Sequence, residues 1–375
     1  MSGTIGLGNI AGVALAISVA GPGSIFWMWV TAIIGIATKF FTCTLSVMYR
    51  EKTKDGEIFG GPMYVIKNGL PKRMLPLAYF FALAGMIGCL PAFQSNQLIQ
   101  ITGDLAFSEI ENFNIFGGLV LAGITGIVVI GGLKRIAEVA TFLVPLMGSI
   151  YFGAMLIALT LNLDQVFPAF KLILVDAFNG TAIAGGTFFG VLIYGVRRGA
   201  FSNEAGMGTE SLVHGVAKVS DPVKQGLVAM TGPIFDTLII CTATALMILI
   251  SGVWETSASQ GVTLTAEAFS MLLGNFGGFI LFICVICFGL STIFTYSYYG
   301  ASCSRFLFGK FGMKFYIYLY IFSIFIYSIV PIDIAINIAD GAFAMMAIPT
   351  LVSALWLAPK VMQASKNYFK LIDSY

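Results

Sequence analysis

The sequence predicts an all-α, polytopic membrane protein of about ten transmembrane helices. Three observations predict it. Of the 375 residues, 58% are hydrophobic and only 10% are charged, where ordinary globular domains carry about 25% charge. Mean hydropathy is +0.92. Apolar runs long enough for a span of about 20 residues recur along the whole chain.

The spacing predicts spans at roughly 4–20, 22–49, 74–101, 115–133, 137–161, 180–197, 224–251, 275–300, 315–330 and 332–358. The first opens on Gly3, Gly6, Gly8 and Gly12. Glycine costs roughly 1 kcal/mol relative to alanine inside a helix, so this end is weak. Two readings stand. Either the helix is broken there and turns backbone groups toward a ligand, or the glycines let two helices pack closely. Gly21-Pro22-Gly23 leaves almost no loop before span two, whose Phe26, Trp27 and Trp29 suit an interfacial belt.

If the spans alternate, loops 50–73, 134–136, 198–223 and 301–314, the tail and the adjoining span ends hold 18 of the 20 Lys/Arg. The other side holds Lys171 and eight Asp/Glu. This asymmetry predicts a plasma-membrane protein with both termini in the cytoplasm. Ten spans divide into two halves of opposite orientation, about 1–162 and 163–358, within one transport domain that ends in a tail at 359–375. The paired glycine-rich segment in the second half is predicted at Gly185, Gly186 and Gly190. Segment 253–274 is amphipathic and reads either as an external gate or as an ordinary interfacial helix. The six cysteines form no metal spacing, and one histidine is too few for a metal site. There is no cleavable leader pattern, no nucleophile–base pair that would make an enzyme, and no support for nucleic-acid binding.

Several stretches resemble the alanine/glycine:cation symporters. They are Gly-Leu-Gly-Asn-Ile-Ala-Gly (6–12), Gly-Pro-Gly-Ser-Ile-Phe-Trp (21–27), Gly-Gly-Pro-Met-Tyr (60–64) and Gly-Val-Arg-Arg-Gly-Ala-Phe-Ser-Asn-Glu-Ala-Gly-Met-Gly (195–208). Asp-Pro-Val-Lys-Gln-Gly (221–226), the segment from Phe235 to Leu246 and Ser-Tyr-Tyr-Gly (297–300) extend the likeness. The resemblance implies sodium- or proton-driven uptake of alanine or glycine on an inverted five-helix repeat like the leucine-transporter fold. It also implies that residues precede the Gly-x-Gly-Asn motif in relatives. The expectation is a chain lacking the first half of helix one. Tyr296 stands where the family has Trp, Phe343-Ala344 where it has Asn-Gly, and Thr350 where it has Asn.

The candidate residues follow from what an amino acid and a cation need. Backbone N–H groups at Gly6, Gly8 and Asn9 suit a carboxylate, with Gly185 and Gly186 opposite. Gln94, to which the resemblance also points, either accepts the ammonium or makes an interhelical hydrogen bond. Ser291-Thr292 and Tyr296 share one face of span eight at i, i+4 spacing and can line the same cavity. The resemblance puts Thr292 and Tyr296 beside the substrate, although Tyr296 also reads as a packed core ring. Sodium, the only metal ion and the coupling ion, prefers hard oxygens: carbonyls near Gly3, Thr4 and Ile5 with the hydroxyls of Ser291 and Thr292. No other cofactor is expected. Lys39, Asp236 and Asp340 are ionisable groups within spans, where charges mark partners or pathways. Lys39 pairs with Asp340 or with Asp236. Arg197, Arg198, Glu204 and Glu210 form either a salt-bridged cytoplasmic gate or a solvated cluster. The expected partners are a small amino acid, sodium and the lipid bilayer. The rival expectations are a truncated member that does not transport, or a symporter with altered substrate or with proton coupling. Oligomeric state is not legible.

Overall fold

The computed structural model describes residues 6–53, 56–179 and 188–373. Helices make up nearly all of it. The exception is a ribbon of two short antiparallel strands, β1 (Glu51–Lys52) and β2 (Ile58–Phe59), with Glu51 opposite Phe59. Six helical segments are long and apolar enough to cross a membrane by length and composition, and three shorter apolar helices accompany them. Large apolar side chains such as Ile33, Phe142, Phe167, Phe311 and Leu355 are exposed. In water such a surface would aggregate; in hydrocarbon it is the solvated face.

The chain begins with a 3-10 turn, Leu7–Asn9, that leads into α1 (Ala11–Ala20). Gly21 ends α1 at φ +86°, and α2 (Ser24–Met48) starts three residues later. After the ribbon come α3 (Pro62–Gly69), α4 (Leu75–Gly88) and α5 (Ala92–Ala106). The third predicted span is thus two helices, because Pro91 brings no N–H to the junction. α6 (Phe113–Val129) and α7 (Gly132–Leu161) follow.

α8 (Leu163–Asn179) lies where a loop was expected. Its buried Asp176 accepts the Gly23 N–H at 2.7 Å, and Trp27 donates to the Ala177 carbonyl at 3.3 Å. This helix therefore caps the tight turn between α1 and α2. Phe26, Trp27, Phe178 and Phe188 stack around it.

α9 (Phe188–Asn203) extends six residues past the predicted end of span six and is followed by α10 (Thr209–His214). α11 (Pro222–Pro233) is capped by Asp221, which accepts the Val223 N–H at 2.7 Å. It runs through a π-helical stretch, Ile234–Cys241, into α12 (Thr242–Ser251). α13 (Val253–Thr256) and α14 (Val262–Leu273) occupy the amphipathic segment.

α15 (Asn275–Ile329) breaks at Gly309, φ +68° and ψ −157°. Unbroken it would run roughly 80 Å at 1.5 Å per residue, against a hydrocarbon core of about 30 Å. The arms 275–308 and 310–329 fold against each other, and the Tyr320 hydroxyl donates to the Ile293 carbonyl at 2.6 Å. α16 (Ile332–Asp373) closes the described chain.

Candidate functional site

Two stretches that are not α-helical lie near the end of α9. The first is the 3-10 turn at Leu7–Asn9, which leads into α1. The second is the stretch 204–208 between α9 and α10, where Glu204, Gly206 and Gly208 all have positive φ. The second was expected at Gly185 and Gly186, which lie outside the described residues; Gly190 is inside α9. Its signal was the Gly-Met-Gly of the Asn-Glu-Ala-Gly-Met-Gly block, read as a loop. A Cβ on Gly8 would come within 3.2 Å of the Phe201 ring and 3.4 Å of the Ser202 backbone, so the first turn presses on the end of α9. Freed carbonyls in an apolar interior need partners. Thr350 on α16 faces the Met207 carbonyl at 3.3 Å.

Asn9 organises the first turn. Its Oδ1 accepts the Gly6 N–H at 3.0 Å, and its own N–H donates to the Gly6 carbonyl at 3.1 Å. Its Nδ2 donates to the Asp236 carbonyl at 3.1 Å and to the Asp236 carboxylate. The other carboxylate oxygen accepts from Ser202 and Thr237, both at 2.8 Å. Asn9 and Asp236 are fully buried. The π-helical stretch widens α11–α12 by one residue per turn and brings Asp236 and Cys241 to this junction, a distortion common at functional sites. The expectation of free N–H groups at Gly6 and Asn9 is corrected: the Asn9 side chain takes the Gly6 N–H, and the Gly6 carbonyl takes the Asn9 N–H.

Gly6 and Thr292 do meet, since a Cβ on Gly6 would strike the Thr292 hydroxyl. Ser291, one residue and about 100° away, faces α7 instead, with its Oγ 3.9 Å from the Met147 sulfur. The joint Ser291–Thr292 cation pair is therefore not assembled. Gly3, Thr4 and Ile5 lie outside the described residues. Beside this junction four aromatic rings touch in sequence. Phe93 meets Phe201 at 5.2 Å between centroids, Phe201 meets Phe343 at 5.6 Å, and Phe343 meets Tyr296 at 6.4 Å. Gln94, next to Phe93 in the first turn of α5, is 4% exposed and hydrogen-bonds to no described residue.

The charges depart from expectation. Arg197 and Arg198 lie inside α9. Arg198 is buried and ion-paired to Asp340 on α16, with its guanidinium 5.2 Å from the Phe201 ring centroid. Arg197 reaches the same carboxylate at 3.6 Å. A cavity of about 430 Å³ opens between α9 and α16, lined by Arg197, Asn337, Asp340, Phe201 and Phe343 among others. The expected gate of these arginines with Glu204 and Glu210 is not formed: both glutamates are buried elsewhere, and Glu210 accepts from Thr42 at 2.9 Å. Lys39 pairs with neither expected partner, because Asp340 is taken by the arginines and Asp236 by Asn9, Ser202 and Thr237.

α14 covers the junction from the segment read as an external gate. Its Val262 N–H donates to Gln97 at 3.0 Å, and its Thr265 hydroxyl reaches the Ile10 carbonyl at 3.4 Å. The described residues hold no cluster of three metal-ligating side chains.

The family model described as the sodium:alanine symporter family matches residues 1–374. The chain is 38% identical over 378 residues to the sodium/alanine symporter AgcS of Methanococcus maripaludis, covering 98% of this chain and 82% of that protein. It is 35% identical to a probable sodium/glutamine symporter, GlnT, of Bacillus subtilis, over 98% of this chain and 76% of the relative. It is 34% identical to the amino-acid carrier protein AlsT of the same organism, over 98% and 78%. These relatives are membrane transporters, not enzymes. A family match over residues 1–374 and identity of this order over 98% of the chain establish that this chain belongs to the sodium:alanine symporter family.

Proposed function

We propose that this protein imports a small neutral amino acid, alanine first and glycine second, across the plasma membrane with sodium as coupling ion. The observation that carries the reading is Gln94: it is 4% exposed in the first turn of α5, its amide hydrogen-bonds to no described residue, and it adjoins in sequence Phe93, whose ring meets Phe201 near the end of α9. The amide oxygen would accept the substrate ammonium. The rings of Phe93, Phe201, Phe343 and Tyr296 would bound the substrate side chain. Thr292, which packs against Gly6, is the hydroxyl retained for the cation, with the carbonyls of Gly3, Thr4 and Ile5. Gly8, Gly185 and Gly186 stay candidates for main-chain contact with the substrate.

The ten-span topology, with cytoplasmic termini and halves at about 1–162 and 163–358, supports an inverted repeat. Spans one and six are then the interrupted pair, and residues 359–375 form a cytoplasmic tail. Transport by alternating access follows: ligands bound between spans one, three, six and eight shift the balance between outward- and inward-open forms. The names of the relatives include a glutamine symporter, so a longer side chain is the competing substrate.

Uptake of labelled alanine, glycine and glutamine into proteoliposomes, with and without an inward sodium gradient, tests this. Sodium-dependent accumulation of alanine, and of glycine to a lesser degree, is expected. Preference for glutamine would overturn the substrate. Accumulation of none, with the protein verified as inserted, would support a chain that does not transport.

A further inference from the structure

The second helix interruption holds a set of buried charges that amino-acid binding does not use. Glu204 is fully buried, and neither carboxylate oxygen has a hydrogen-bond partner among the described residues. Glu210 is 2% exposed and uses only one oxygen, toward Thr42. Lys39 on α2 is 1% exposed and makes no ion pair or hydrogen bond with a described residue. Fully buried Asn203 Nδ2 and Thr209 Oγ1, on either side of the interruption, are also unpartnered.

Glu204 is held in the left-handed backbone region at φ +58°, unusual for a residue with a side chain. Strain of this kind gathers at sites that bind or switch.

The groups around Glu204 come from every side. Lys39 and Cys43 face it from α2, Glu210 and Thr209 from α10, Tyr296 and Tyr299 from α15, and Cys89 from the end of α4. Only Lys39 among them brings a positive charge. Two carboxylates against one ammonium leave an excess negative charge among buried groups. An uncompensated buried charge costs several kcal/mol. Ionised carboxylates can only accept hydrogen bonds, whereas a protonated one also donates. One proton would therefore remove the excess charge. A sodium ion would have to shed its hydration beside the Lys39 ammonium, so the arrangement favours a proton.

We propose that Glu204 is a proton-binding site at the second helix interruption, with Lys39 and Glu210 as the charges that set its occupancy, and that this proton is exchanged when the interruption rearranges. The carboxylate takes one proton from water on one side of the membrane and returns it on the other. The exchange rests on the transport reading above; the site itself does not.

Infrared difference spectra of the purified full chain across a pH titration test the site. Wild-type protein is expected to show the C=O band of a buried protonated carboxylic acid, Glu204→Gln to lose it, and Glu204→Asp to keep it at a shifted frequency. Proteoliposomes with a trapped pH indicator test the exchange. Alanine added with sodium should change luminal pH with the wild type, and the Glu204→Gln protein should lose that change. A band that survives in Glu204→Gln, or a luminal pH change that survives with it, would overturn the proposal. A Glu204-dependent band without sodium-dependent alanine uptake by the wild type would retain the proton site and reject the symport reading. Monodisperse gel-filtration profiles and the Asp variant guard against misfolding as the cause of a lost signal.

Discussion

The side-chain amide of Asn9 donates to both the main-chain carbonyl and the carboxylate of Asp236, 227 positions further along the chain. Through Ser202 the same carboxylate also holds the end of α9. One buried carboxylate therefore ties three helices together at their weakest points: the glycine-rich start of the first, the end of α9 and the π-helical stretch of the seventh span. Movement of either interrupted helix must break or carry this junction.

Asn9→Ala removes both donors and uncaps the Gly6 N–H. Hydrogen bonds to charged groups contribute about 1.5–3 kcal/mol each. The variant is expected to unfold at a clearly lower temperature in detergent and to lose most alanine uptake. An unchanged melting curve would show that the junction does not support the fold.

Gln94→Ala has the opposite profile. The side chain hydrogen-bonds to no described residue, so its loss should leave thermal stability nearly unchanged. If it accepts the substrate ammonium, alanine affinity should fall by about tenfold or more, since 1.4 kcal/mol is a factor of ten. Equilibrium binding of labelled alanine measures this, and unaltered affinity would remove Gln94 from the site.

Asp340→Asn strands the guanidinium of Arg198, which is 1% exposed. Breaking one side of a buried pair costs about 3–5 kcal/mol, whereas replacing both sides with apolar groups is often neutral. Thermal denaturation should therefore show a large loss for Asp340→Asn and substantial recovery in the double variant Arg198→Met with Asp340→Leu. No recovery would mean that the pair does more than compensate charge.

Tyr296→Trp places a larger ring against Phe343 and Tyr299. The expected outcome is a narrower substrate range, with glycine gaining on alanine in competition uptake. Phe343→Ala should widen the range toward longer side chains. If neither profile moves, the aromatic wall does not bound the substrate.

The membrane class and the long apolar helices were legible in the sequence, because hydropathy over about 20 residues is a local signal. So were the intramembrane Asp236 and Asp340, as charges out of place in apolar runs. The second interruption was misread because Gly206 and Gly208 lie in a polar, loop-like stretch. Its membership of an interrupted helix shows only when α10 and the Thr350–Met207 contact are in place. α8 was missed because its charges and short apolar face resemble a connection until Asp176 meets Gly23.

The sequence by itself determined that this chain is a helical membrane transporter of a recognisable family, since solvent preference and motif spacing are written along the chain. Only the tertiary structure decided the partners of the charges. Arg198 and Asp340 are 142 positions apart, and Asn9 and Asp236 are 227. Which carboxylate meets which donor depends on the rotation and depth of whole helices, and those are set by packing between distant segments rather than by local pattern.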